Sequence, residues 1–481
     1  MTRLPRALLV LLALSSWGFA RIGPAQEVTS PPPNIVFFLT DDQRDDTLGC
    51  AGHPILQTPT IDGLAARGVR FSNMFVSHSI CWVSRASLLT GQTARSSGRA
   101  DRLDFVRADA ARALYPQLLR EAGYRTGHFG KFHARMPQGW DRATAFDVYL
   151  GMHRDPYFKK QPDGSLRHET ELIADHAIEF LKEQPADQPF AIQLWFNAAH
   201  AEDGDHRPGI GHFPWPQAVD GMYEDIEMPA PRLGDPAIFA AMPDYLKQSI
   251  LRERWHWRWD TPEKYQTNLR AYFRMISGID GAMARVLQAL EERGFADNTI
   301  VVYSADNGYF MGDRGFAGKW AHFDESLRVP LIIFDPRAAA ESTRGSVVKA
   351  FALNLDLPAS FLAWAGVDIP DSYQGRDLSP WLHGPPPDAW REDMFFEHVF
   401  LRPTISWEGV RGERWKYARY FDQAVQDEWL HDLQTDPDEL VNLASDPAYA
   451  EVLQAMRQRT AAYVAQYGAP VQGALPDYTG N

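Results

Sequence analysis

The stretch Asn34-Ile35-Val36-Phe37-Phe38-Leu39-Thr40-Asp41-Asp42 runs from a short apolar segment straight into two adjacent carboxylates. Its first part, Asn34–Leu39, is rich in Val, Ile, Leu and Phe and reads as a buried strand. Phe190–Phe196, Ile300–Ser304 and Pro330–Phe334 have the same character. Pro116–Ala122, Leu172–Lys182 and Leu269–Arg293 instead space their apolar residues at i, i+3 and i+4, which predicts helices. Strands alternating with helices predict an α/β fold, with a large, mostly parallel sheet between helical layers. In such sheets ligands gather where strands end. Asp41-Asp42 follows one strand and Asp306-Asn307 follows another.

The 481 residues, 45% of them hydrophobic, suffice for one large core and a smaller one. Arg3 and Arg6, the apolar run from Ala7 to Leu14, and Gly18-Phe19-Ala20 have the layout of a secretory signal peptide over residues 1–20. That predicts export, to the periplasm or beyond. No later stretch is apolar for long enough to cross a bilayer. Cleavage after Ala20 removes Arg3 and Arg6 and takes the formal charge from -14 to -16. Such a surface repels nucleic acid, so an anionic substrate needs a local basic pocket. With Cys50 and Cys81 the only cysteines, the chain is no disulfide scaffold, although these two could pair in an oxidising compartment. A catalytic domain is expected over 32–365, with 202–265, rich in Pro, His and Trp, as an insertion near the site. Composition breaks at Gly366–Gly375 and Gly384-Pro385-Pro386-Pro387 set off a C-terminal part, 366–481, in which Gly409–Tyr420 reads as a strand or hairpin.

Asp41, Asp42, Asp306 and Asn307 offer hard oxygen ligands, suited to Ca²⁺ or Mg²⁺ and unsuited to a thiol-seeking metal. Arg85, Lys131, His133, His200 and Lys319 supply a cationic half able to neutralise an anionic ester. Lys131 and His133 stand two apart in what reads as an extended segment, so both are expected on one side of a strand. The glycines before Lys131 and Lys319 lack the spacing of a phosphate loop. In Cys81-Trp82-Val83-Ser84-Arg85-Ala86-Ser87-Leu88-Leu89-Thr90-Gly91, Cys81 precedes an expected helix with Ser84 as N-cap. There backbone N–H groups and the helix dipole favour an anion. Trp255-His256-Trp257-Arg258-Trp259 reads either as an aromatic packing cluster or as a platform for sugar rings, with Trp257 as a substrate contact and Arg258 free for an acidic group.

The Cys81–Gly91 run resembles the signature of the formylglycine-dependent (type I) sulfatases of the alkaline-phosphatase-like superfamily. The resemblance continues through Asn34–Asp42, Gly130-Lys131-Phe132-His133, Ser304–Gly308, Gly318-Lys319-Trp320, Glu325–Ile332 and Asp432–Leu443. It implies a small C-terminal antiparallel α+β subdomain. It also implies that a formylglycine-generating enzyme oxidises Cys81 to an aldehyde, with Val83 where the family has proline or alanine. Asp41, Asp42, Asp306, Asn307 and the modified residue 81 would hold a divalent cation, usually calcium. The hydrated aldehyde would attack sulfur, with Arg85 and Lys131 steadying it and His133 taking the proton that releases sulfate. His200 and Lys319 would hold the sulfate and protonate the leaving alcohol. The family has Pro-His at the histidine position; this chain has Ala199-His200, with His206 and His212 as rivals. The implied activity is hydrolysis of sulfate esters on a carbohydrate or polysaccharide. A phosphodiesterase or phosphonate monoesterase of the same superfamily, and a non-catalytic binder of sulfated glycans, remain open.

Overall fold

The computed structural model describes residues 31–98, 106–204, 212–338, 343–399, 406–421 and 427–468. The expected signal peptide and His206 lie outside them. The predicted first strand is the centre of an eight-stranded sheet. Its strands are β1 (Asn34–Thr40), β2 (Val69–Phe71), β3 (Arg125–Gly130), β4 (Val148–Gly151), β5 (Phe190–Trp195), β6 (Thr299–Ala305), β7 (Leu331–Phe334) and β8 (Ser346–Val348), in spatial order β8-β2-β7-β6-β1-β5-β3-β4. β1 runs parallel to both neighbours, with Val36 opposite Ile192 on one side and Val301 on the other. β7 alone among these strands is antiparallel to both of its neighbours, β2 and β6.

A parallel strand covered by helices must be apolar on both faces. Ile35, Phe37 and Leu39 point to one side, among residues of α2 (Cys81–Thr90), α3 (Tyr115–Glu121) and α7 (Asp356–Trp364). Val36 and Phe38 point to the other, among residues of α1 (Pro59–Arg67), α4 (Glu169–Glu183) and α6 (Pro262–Glu292). The uniform apolarity of β1 is the consequence of this double burial. α6 starts seven residues before its expected first residue. Thr261 caps it by accepting from the Lys264 N–H at 3.2 Å, and Pro262 fills the first turn.

α2 also begins earlier than expected. Ile80, extended at φ -156°, accepts from the N–H groups of Val83 and Ser84, so Cys81 is the first helical residue. Ser84 is not the N-cap; it lies one turn inside and accepts from the Asn354 amide at 3.1 Å. Gly91 ends the helix at φ 65°, where a Cβ would strike the Tyr373 ring.

A second sheet of four antiparallel strands follows: β9 (Asp393–His398), β10 (Trp407–Gly412), β11 (Trp415–Tyr420) and β12 (Asp427–Asp432), with α8 (Ala450–Tyr467) after it. The expected hairpin is β10–β11. Among the described residues no helix is long and apolar enough to cross a membrane. Arg95 fastens this sheet to the segment after α2. Its buried guanidinium meets Glu397 and Glu408, each at 2.7 Å, and both acids are buried too. Removing a buried cation strands its carboxylates, so Arg95→Ala is expected to cost about 3–5 kcal/mol in urea unfolding. A loss below about 1 kcal/mol, the size of a surface pair, would contradict this.

Candidate active site

Four adjacent strands, β6-β1-β5-β3, deliver their C-terminal ends to one place. β1 leads into Asp41 and Asp42, β6 into Asp306 and Asn307, β5 into His200, and β3 into Lys131 and His133. Backbone bonds lock the ends together: Asp306 N to Thr40 O at 3.0 Å, Asp41 N to Ala198 O at 3.0 Å, and Lys131 N to Trp195 O at 2.7 Å. Gly130, at φ 105°, makes the turn that brings the Lys131 N–H there; a Cβ on it would collide with the Trp195 carbonyl. The chain past Gly130 is therefore not an extended strand. His133 sits at φ 52°, so it and Lys131 do not share one strand face as expected. Asp42 (φ 57°) and Trp320 (φ 84°), next to Lys319, are also left-handed. Such conformations cost energy and gather at functional sites.

Three carboxylates and three cations meet in the interior. Arg85 Nε donates to Asp306 Oδ2 at 2.7 Å, Lys131 Nζ pairs with Asp41, and Lys319 Nζ pairs with Asp42 Oδ1. Arg85, fully buried, also donates to the carbonyls of Lys131 (2.5 Å) and Phe196 (3.2 Å), which fixes it in place. Burial pushes all three acids up. At Asp41 the charge of Lys131 above all, with Lys319 and Arg85 adding to it, outweighs burial and holds the carboxyl well below the usual range. At Asp42 Lys319 offsets only part, and Asp41 pushes the same way as burial, so the group is raised. Burial and Asp41 lift Asp306 to about 6 against Arg85. Lys319, despite burial, is held above the ordinary lysine value by Asp42 first and then by Cys81, so the cysteine lies within its electrostatic reach.

Cys81 is buried at the N-terminus of α2, and Cys50 is a free thiol elsewhere, so the two are not paired. Burial, with Asp62 beside it, pushes the Cys50 thiol up to about 12. Val83 fills an apolar cluster with Ile80 and Ala94, against Trp82 and Trp320. Trp82 meets His133 edge-on at 5.7 Å. Burial, with Lys131 and Arg85 nearby, pushes His133 down to about 2, and its buried Nδ1 has no hydrogen-bond partner. The imidazole is neutral, and its open Nδ1 is the atom at which it could take a proton.

His200 approaches Asp42 Oδ2 with Nε2 at 3.5 Å, while its Nδ1 bonds the Ala201 carbonyl at 2.7 Å. If Nδ1 carries the proton, Nε2 presents a lone pair. Burial and then Arg154 push this imidazole well below its ordinary value. Its rival His212 is instead tied through its backbone N–H to Asn268 at 2.8 Å. The donor atoms of Asp41, Asp42 and His200 lie within 4.8 Å of one another. Two buried oxygens there, Asp41 Oδ1 and Asn307 Oδ1, have no hydrogen-bond partner. Hard oxygens left unsatisfied in the interior fit a divalent cation. The sequence places His200 among the sulfate-binding residues; the structure sets it beside the acids as well, because it follows a strand end just as they do.

Trp257 is placed against arginines. Half-buried on α5 (Ile250–Arg258), it has the guanidinium carbons of Arg254 and Arg258 each 5.4 Å from its ring. Arg258 is not free for an acidic group as expected: it is fully buried and paired with Asp203. Trp259 is buried in the core against Phe213 and Tyr265, so the three tryptophans form no continuous platform. Sequence reading also missed Arg154, whose Nε donates to the same Ala201 carbonyl at 3.1 Å.

Adding Ca²⁺ or Mg²⁺ to the metal-stripped protein is expected to raise Tm in differential scanning calorimetry, and Asp41→Asn to abolish the rise. No rise in the parent protein would contradict the cation assignment.

Comparison with known proteins agrees with this geometry. Residues 33–367 match the family model described as Sulfatase, and 312–466 match N-sulphoglucosamine sulphohydrolase, C-terminal. An N-acetylglucosamine-6-O-sulfatase of Bacteroides thetaiotaomicron is 28% identical, over 92% of this chain and 88% of that protein. An ulvan-active sulfatase of Formosa agariphila is 27% identical, over 88% and 79% respectively. The solved structure of BT4656 in complex with its substrate D-glucosamine-2-N,6-O-disulfate superposes with a TM-score of 0.76 at 25% identity, over 92% of this chain and 99% of that one. A phosphonate monoester hydrolase of Agrobacterium radiobacter shares the fold at TM-score 0.75 and 24% identity, over 91% and 96%. With the family model spanning most of the chain and the buried acid–base cluster at its sheet edge, the protein belongs to the sulfatase family and is a sulfuric ester hydrolase.

Proposed function

We propose that the protein is an exported, Ca²⁺-dependent sulfatase that removes sulfate from a carbohydrate, after a formylglycine-generating enzyme has converted Cys81 to formylglycine. The observation that carries this is the position of Cys81, buried as the first residue of α2, the helix whose Arg85 is locked onto Asp306. The carbohydrate substrate rests on the relatives named above, and export on the first 20 residues.

Asp41, Asp42, Asp306 and Asn307 would hold the cation, with Mg²⁺ the alternative ion and residue 81 completing the set. When present, the cation supplies positive charge to the sulfate oxygens, and hydrated formylglycine supplies a hydroxyl nucleophile for sulfur. The other roles fall to this chain's own side chains. Arg85 is immobilised by Asp306 and two carbonyls, so its work is to fix the strand ends and the acid around the nucleophile. Lys131 orients the nucleophile's oxygens and, with His200 and Lys319, binds sulfate. Lys319, kept protonated by Asp42, provides the proton for the departing alcohol. His133, neutral with Nδ1 open, accepts the proton that releases sulfate.

The test pairs 4-nitrophenyl sulfate with 4-nitrophenyl phosphate and a phosphonate monoester. Turnover of the sulfate is expected to dominate and to fall on the order of a thousandfold or more in Cys81→Ala. Preference for either phosphorus ester would make the protein a phosphoryl or phosphonyl hydrolase. Binding of sulfated sugars without turnover would make it a binder. Unchanged turnover in Cys81→Ala would overturn the nucleophile. Separately, His133→Ala is expected to slow sulfate release, so rapid quenching should capture a covalent enzyme-bound sulfate that the parent does not accumulate.

A further inference from the structure

Three arginines converge on one carboxylate beside the catalytic cluster. Arg254 and Arg258 stand one turn apart on α5, and Arg154 comes from the loop after β4. Asp203 accepts from Arg254 at 3.1 and 3.3 Å, pairs with Arg258, and lies 3.7 Å from Arg154 Nη2. The other acid on Arg154 is Asp155, 3.9 Å away and mostly exposed. Glu202 turns elsewhere, toward the Tyr157 N–H at 3.4 Å.

Among the described residues the cluster pairs three guanidinium groups with Asp203 and the mostly exposed Asp155. Arg254 Nε and both Nε and Nη1 of Arg258 are buried without a hydrogen-bond partner, and Arg258 is 0% exposed. The open donors of Arg258 lie out of reach of a ligand, but Arg154 and Arg254, with side chains 20% and 17% exposed, present the cluster's positive charge to solvent. The cluster also touches the reaction centre. Arg154 Nε and His200 Nδ1 share the Ala201 carbonyl, at 3.1 and 2.7 Å. The Arg254 guanidinium lies 5.2 Å from the ring of Trp320, the residue after Lys319. The Asp41, Asp42 and Asp306 carboxylates are already matched by Lys131, Lys319 and Arg85, so the surplus positive charge of the arginines is not consumed there.

We infer that Arg154 and Arg254, both partly exposed, bind a second anionic group of the substrate, a sulfate or a carboxylate, beside the ester being cleaved. Arg258, inaccessible, is a positioning residue that holds Asp203 and, through it, the other two. This rests on the sulfatase reading and makes the substrate a sugar with at least two anionic groups.

The test measures binding by calorimetry to Ca²⁺-loaded Cys81→Ala protein, which does not turn over. The probes are glucosamine 6-sulfate, glucosamine 2-N,6-O-disulfate, and a disaccharide in which the 6-sulfated glucosamine carries a neighbouring uronic acid. One doubly anionic probe is expected to bind about tenfold tighter than the monosulfate or better; which one identifies the second group. Arg154→Gln and, independently, Arg254→Gln should erase most of that preference, and Arg154→Lys should restore part of it. In the matured enzyme Arg258→Met should raise KM for the preferred probe far more than it lowers kcat. Equal affinity for all three probes, or a preference that survives both glutamine variants, would overturn the inference. Turnover of 4-nitrophenyl sulfate, which has no second anion, reports on the sulfatase reading separately.

Discussion

Everything in this molecule is arranged around a cost: Asp41, Asp42 and Asp306 are carboxylates buried in a protein interior. Removing an ion from water costs several kcal/mol even after relaxation, and pairing offsets that only where the geometry is fixed. The fold supplies fixed geometry in quantity. β6, β1, β5 and β3 end side by side and are cross-linked by backbone bonds. Helix α2 lowers Arg85 onto Asp306, the turn at Gly130 sends Lys131 to Asp41, and a hairpin brings Lys319 to Asp42. Each ion pair joins two segments far apart in sequence, so the charges of the candidate site also hold the strand ends together.

The balance of three acids against three bases gives that edge its chemical character. A divalent cation on the acid side turns a neutral cluster into one that attracts an anion, and the lysines and α2 N-terminus then face the same ligand. Burial strengthens all of these interactions and prevents the imidazoles from becoming competing cations. Sulfate ester hydrolysis needs this combination: neutralised ester oxygens, a nucleophile held in line, and one neutral base.

Much of this was legible in the sequence because its signals are local. The apolar uniformity of Asn34–Leu39 announced a doubly covered strand, and acids directly after two such runs marked the sheet's active edge. Cys81, Arg85 and Gly91 sit on one short helix whose ends are set by steric rules. What escaped reading depends on distant partners. Ser84 has the right chemistry for an N-cap, but Ile80 starts the helix and Asn354 takes the hydroxyl. Lys131 and His133 looked like strand neighbours because the left-handed turns at Gly130 and His133 leave no pattern in composition. Arg258 looked free until the fold brought Asp203 to it across 55 residues. Arg154 belongs to no motif; only its place beside His200 makes it notable.

The central claim is that the residue facing this cluster in the mature protein is no longer a cysteine. Mass spectrometry of the tryptic peptide Phe71–Arg85, from protein isolated from its native host and treated with a hydrazide probe, tests it most directly. The account predicts the mass of an aldehyde at position 81 and its hydrazone after trapping. An intact thiol in catalytically active protein would contradict it.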